Sequence, residues 1–227
     1  MKSKLIGKNN ISKIFSGDYS GVNNMSEHYF AQSNGVWQTN FGSLTIINVD
    51  FYEHRYGDDI GSIKVYIVDS DGAIITPSTG AIDGDAIYSV FGDNGNQWTN
   101  VTLSCAIPPQ SYRVVWYHSG NTSFGADYAV DLIDINSNVY SFESDADGFV
   151  TSSGINTTDS STAFNNSTSV PTSTGATAGQ WNRNSGTTSS SSTGPSSGFD
   201  GSFYLYTETS SPNSGGADFW LFSPLFS

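Results

Sequence analysis

The densest grouping of groups able to do chemistry is Glu143-Ser-Asp145-Ala-Asp147, three carboxylates at alternate positions. Alternation along an extended chain puts such groups on one side. There they can work as an acid and a nucleophile on a glycoside, or as oxygen ligands for a hard cation. The hydrolytic pattern requires an acid/base Glu five positions beyond the first carboxylate, and Gly148 stands there. The run is therefore expected to be a turn or a cation site. His28, His54 and His118 are far apart and show no paired-ligand spacing, so surface or hydrogen-bonded histidines are expected rather than zinc ligands. No acid/base pair or activated nucleophile emerges, and the chain reads as non-catalytic.

Calcium is the cation that fits the acids best, since it takes several carboxylate and carbonyl oxygens. Asp131 and Glu143 sit at neighbouring strand ends, with Asp127 and Asp145 close in sequence. These four, Asp127, Asp131, Glu143 and Asp145, form the expected metal set. Other ligand chemistry falls to exposed aromatics with Asn and Asp partners, which suits glycans. Trp37, Trp98 and Trp181 are available for it, although core packing is the commoner fate of Trp in a sandwich.

The elements that must position these groups are strands. Only 13% of the 227 residues are charged and 36% hydrophobic, while 14 Phe, 12 Tyr and 5 Trp supply large apolar surfaces. Ser, Thr, Asn and Gly replace the residues from which long helices are built. Strand patterns run through 44–56, 62–68, 86–91, 99–103, 112–118, 128–135, 139–143, 202–207 and 217–226. The turn Asp69-Ser-Asp71-Gly72 predicts a returning strand over Ala73–Thr76. Residues 151–198 are dominated by Ser, Thr, Asn and Gly and read as long loops on a sandwich surface, pinned by Trp181.

Charge and cysteine bound the partners. The net charge is −13, yet the first 13 residues carry Lys2, Lys4, Lys8 and Lys13 and no acid. Beyond them four basic residues face 21 acidic ones, so a phosphate backbone is repelled and nucleic acid is an unsuitable partner. The basic segment 1–28 reads as an arm able to dock on an acidic surface, and 29–227 as the folded domain. Cys105 is the single cysteine, which excludes an intramolecular disulfide. No continuous apolar run marks a secretory signal or a membrane span.

Two stretches resemble the halves of a MAM domain, an extracellular jelly-roll module used in adhesion. The first half is matched by Phe142-Glu143, Trp181-Asn-Arg183-Asn-Ser185-Gly186, Thr193-Gly-Pro195-Ser, Gly201-Ser-Phe203-Tyr204-Leu205-Tyr206-Thr-Glu208 and Leu221-Phe-Ser223-Pro224-Leu225. The second half is matched by Phe51-Tyr-Glu-His-Arg-Tyr56-Gly57, Gly61-Ser-Ile-Lys-Val65-Tyr66-Ile67, Gln97-Trp98, Tyr112-Arg113-Val114 and Asp127-Tyr-Ala129-Val130-Asp131. Their order is reversed, which fits a window over two consecutive domains or, the preferred reading, a circular permutation in which the family's termini meet across Asn136–Val139. The family's cysteines are missing, with Tyr140 and Ser141 before the Phe-Glu pair, and Leu132 replaces the second acid of its Asp-Asp pair. The resemblance implies an all-β, antiparallel two-sheet jelly-roll sandwich, and it supports calcium at the Asp131–Glu143 corner. The Ile11-Ser-Lys13-Ile14 element is similar to N-termini of phage virion proteins. Together these features predict a virion structural protein, a capsid decoration or tail/fibre component, whose partners are other virion proteins, further copies of itself or a host surface glycan. The alternative is a secreted adhesin or carbohydrate-binding module.

Overall fold

In a computed structural model the described residues are 29–33, 36–40, 43–120, 124–151, 178–179, 181–210 and 218–227. The arm 1–28 and residues 152–177 lie outside them. The chain divides into two compact units between Leu44 and Thr45. The first contains a hairpin of β1 (Tyr29–Ser33) and β2 (Val36–Asn40). The second is a sandwich built entirely from strands among its described residues.

One sheet of the sandwich contains, in spatial order, β10 (Val150–Thr151), β14 (Asp218–Phe222), β7 (Arg113–Ser119), β4 (Ser62–Val68) and β5 (Tyr88–Phe91). The short β11 (Ala178–Gly179) adds to β14 in parallel. The other sheet runs β12 (Trp181–Ser185), β13 (Phe203–Thr207), β8 (Tyr128–Ile135), β3 (Thr45–Arg55) and β6 (Trp98–Ile107), with β9 (Asn138–Tyr140) also on β8. All remaining pairings are antiparallel, as a jelly-roll-like sandwich requires. The expected all-β two-sheet architecture is observed.

Period-two burial explains the layers. On β3, Ile47, Val49 and Phe51 point inward while Ile46 and Asn48 are exposed. On β14, Phe219 and Leu221 enter the same core, so β14 and β3 share one sandwich. Trp220 and Phe222 take the opposite face and cluster with Val68 and Val115. The core centres on buried Trp116, which meets Phe51 edge-on at 5.4 Å and leans on Phe149 at 6.0 Å. Phe149 in turn meets Phe142 and Tyr140 edge-on. Cys105 is buried in this core as a free thiol, and burial pushes its pKa up to about 12, so it is protonated and inert.

Two local expectations are corrected. Ala73–Thr76 is not a strand, because the Asp69 carboxylate accepts the Asp71 and Ala73 amides and leaves only a bridge from Ile74 to Val68. The Ser/Thr-rich stretch contains a true strand, β12, whose Trp181 is buried in the core against Tyr128. A platform role for Trp181 is thereby removed. Trp37 has its side chain outside the described set.

Phe51→Ala should cost about 3–5 kcal/mol, because it removes a ring held by Trp116 and Tyr88 and leaves a cavity. Ile82→Ala, at a site 62% exposed, should stay within about 0.5 kcal/mol. Urea unfolding midpoints read both, and equal midpoints would contradict this packing.

Candidate functional site

Asp131 organises one end of the second sheet. β8 carries one extra residue against β3 between Asp134 and Asp131, a bulge at which Leu132 adopts a φ of +43°. The bulge resets the alternation, so that Val130 and Ile133 both face the core and Asp131 faces out. Asp131 Oδ1 accepts the Leu132 amide at 2.7 Å and steadies that unusual backbone. Its Oδ2 accepts the amides of Phe199 at 2.7 Å and Asp200 at 3.0 Å. Burial raises the Asp131 pKa to about 6 against the pull of these three amides.

Glu143 holds the next part of the same loop. Its Oε1 accepts from the amides of Ser202 and Phe203 at 2.9 and 2.7 Å. Gly201, at φ +74°, lies so close that a Cβ would stand 2.6 Å from the Glu143 carboxyl carbon. Arg183 anchors the strand end from the other side. It donates to the carbonyls of Phe142 at 2.6 Å and Glu143 at 2.8 Å while lying 3.6 Å over the Phe203 ring. Asp131 and Glu143 therefore both hold one segment, residues 199–203.

The other two acids of the expected metal set serve elsewhere. Asp145 accepts the Asp147 amide, and Asp147 accepts the Phe142 amide, so the alternating carboxylates close a local turn. Asp127 is buried, its Oδ1 accepting the amide and hydroxyl of Thr209 at 3.2 Å each. Among the described residues no three His, Cys, Asp or Glu side chains come together as metal ligands. The described donors thus do not assemble around one calcium ion, and their oxygens hold backbone amides instead.

Together these contacts fix a roof, residues 186–201, over the outer face of the sheet. That face carries Tyr204, Tyr206 and Ala129, with Trp98 packed against them. Trp98 Nε1 donates to the Ser197 carbonyl at 3.1 Å, and Tyr204 OH donates to that of Gly186 at 2.7 Å. Phe199 stacks on Tyr52. At the far edge the Thr193 hydroxyl accepts the Asp127 amide and donates to the Tyr56 carbonyl, which also accepts the Gly194 amide. Between the roof, Tyr56 and Asn96 lies a cavity of about 480 Å³. Gly194-Pro195-Ser196-Ser197-Gly198 has Gly-x-Ser-x-Gly spacing, but it belongs to this roof and not to the strand–helix turn that would raise a nucleophilic serine.

The sequence reading missed a second polar cluster inside the sandwich. Glu53 is buried, and its Oε1 accepts from Arg55 Nε and Tyr88 OH at 2.7 Å each while Tyr128 OH reaches Oε2. Beside it, buried His118 donates from Nε2 to the Ile60 carbonyl at 2.6 Å and meets the Thr207 hydroxyl with Nδ1. Burial lowers its pKa to about 4, so it is a neutral structural histidine. The Glu-His-Arg spacing of β3 could have signalled the charge pair, since Glu53 and Arg55 share a strand face.

Comparison with known proteins yields no matching family model, no matching curated protein and no matching solved structure.

Two outcomes follow from these carboxylates. Asp131→Ala removes the acceptor of three amides and should destabilise by about 3 kcal/mol, read in urea, with faster proteolysis within 186–201. Unchanged stability and proteolysis would contradict the clamp. Asp127 has its pKa raised to about 7 by burial and by the charge of Glu208, against about 3.9 when unfolded. A raised folded pKa means the stabilising contribution is full below about pH 4 and is lost as pH rises through about 7. Asp127→Asn should therefore melt higher than the parent at pH 8, with the gap narrowing as pH falls below about 7 and closing only below about pH 4. A gap independent of pH would refute the assignment.

Proposed function

We propose that this chain is a non-catalytic virion structural protein, a capsid decoration or tail/fibre component, acting by assembly and surface recognition. The observation that carries the reading is the use of its carboxylates. Asp127, Asp131 and Glu143 each accept backbone amides that hold loops on a rigid sandwich. Such a scaffold presents loops for binding.

The permuted, MAM-like reading has support in the strand ends. Thr45, at the start of β3, and Ser227, beyond β14, line one cavity with Tyr112, Asn136 and Phe226. These are the ends that a family loop would join. The family's termini would meet across Asn136–Val139, within which Asn136 and Ser137 form a tight turn between β8 and β9 with φ of +50° and +67°. The alternative, a secreted adhesin or carbohydrate-binding module, draws on the same roof and its polar cavity.

Mass spectrometry and negative-stain microscopy of purified particles test the leading reading. Deleting residues 1–28 should abolish incorporation while the sandwich melts within a few degrees of the intact chain. Particles that lack the intact chain, or that retain the truncated one, would overturn it.

A further inference from the structure

The cavity beside Tyr56 has an unusual lining. Apart from Gly194 and Pro195, the run 187–196 contributes only Ser and Thr side chains, and Tyr56 and Asn96 complete the wall. No lining residue carries a formal charge. Its volume, about 480 Å³, falls within the range of small-ligand sites.

The lining is held in place before any ligand arrives. The inner hydroxyls of Thr188 and Thr193 are buried and bonded to the carbonyls of Thr193 and Tyr56. Ser192 and Gly194 both take a φ of +63°, which turns the loop back on itself. The outer hydroxyls, on Thr187, Ser191, Ser192 and Ser196, stand exposed at the rim. His54 Nε2 meets Asn96 Oδ1 at 3.1 Å, and this pairing leaves the amide NH2 of Asn96 as a donor. The Tyr56 ring stands edge-on to His54 and is half-buried.

From this arrangement we infer that the cavity is a binding site for a neutral glycan. Hydroxyls that both donate and accept match the hydroxyls of a sugar, and an aromatic ring suits the C–H face of a pyranose. Anionic ligands are disfavoured, because no Lys or Arg lines the wall. In addition, the Glu208 carboxylate hydrogen-bonds Ser189 within it. Sialylated, sulfated and phosphorylated ligands are therefore rejected. Apolar ligands would leave the hydroxyls without partners, at a cost in affinity. The inference rests on the recognition half of the proposed function and names its ligand class.

The test uses the full chain on an array of neutral, sialylated and sulfated oligosaccharides, followed by calorimetric titration of the strongest binder. The parent should bind neutral glycans only, and Tyr56→Ala and Asn96→Ala should each weaken binding at least tenfold. The Tyr56 carbonyl, not its ring, holds the roof, and Asn96→Ala removes one hydrogen bond to His54, so each variant should melt only a few degrees below the parent and stay folded at the assay temperature. Asn96→Ala, on an exposed side chain, decides the matter if Tyr56→Ala melts early. Absence of neutral-glycan binding by the parent, a preference for acidic glycans, or affinity untouched by Asn96→Ala would overturn the site. Incorporation of Asn96→Ala into particles is scored in parallel. Normal incorporation beside a parent that binds no glycan removes this site and leaves the assembly role standing.

Discussion

A carboxylate removed from water and surrounded by backbone N–H groups is the constraint on which the rest of this molecule turns. Asp131 satisfies one amide at its own bulge and two in a loop almost seventy residues away in sequence. A buried charge is costly, and three amide donors offset that cost only in one geometry. The bulge, the outward direction of Asp131 and the position of residues 199–200 are therefore fixed together. Glu143 extends the arrangement by two more amides, and Arg183 locks Glu143's own backbone. A loop with almost no apolar content thus lies in one place on the sheet.

The interior solves a different problem. Without a disulfide, cohesion rests on large aromatic rings meeting edge-on, with Trp116 between Phe51 and Phe149. Such contacts are directional as well as apolar, which favours a single packing. The buried Glu53–Arg55 pair adds little net stability, since its attraction mainly recovers the cost of desolvating two charges. Tyr88 and Tyr128 reduce that cost by donating to the same carboxylate.

Strand positions were legible wherever burial alternates, as along Thr45–Arg55 and Ser62–Val68, because a half-buried sheet leaves a period of two in the residues. β12 was hidden because Asn182, Arg183 and Asn184 are polar on both faces, one against the roof and one against Phe142 and Glu143. The short turn between their strands showed that Asp131 and Glu143 lie at neighbouring strand ends. Their ligand was not legible, because amides of residues 199–203 come from a segment with no periodic signal. The cavity was likewise invisible. A run of Ser and Thr reads as solvent-exposed linker until the carbonyl of Tyr56 and the amide of Asp127 bend it into a wall.

β3 gives the molecule a mechanical axis. Its first residue, Thr45, is where the chain enters the sandwich, and its last, Arg55, precedes the Tyr56 of the cavity. At about 3.4 Å per residue these two poles stand roughly 35 Å apart. A tension drawn between something gripped at the cavity and something holding the chain before Thr45 would run along the strand. The hydrogen bonds to β6 and β8 lie across that line and would share the load in shear, rather than opening one after another as in peeling. The strand with the longest paired register in the sandwich would be the one to carry such a pull.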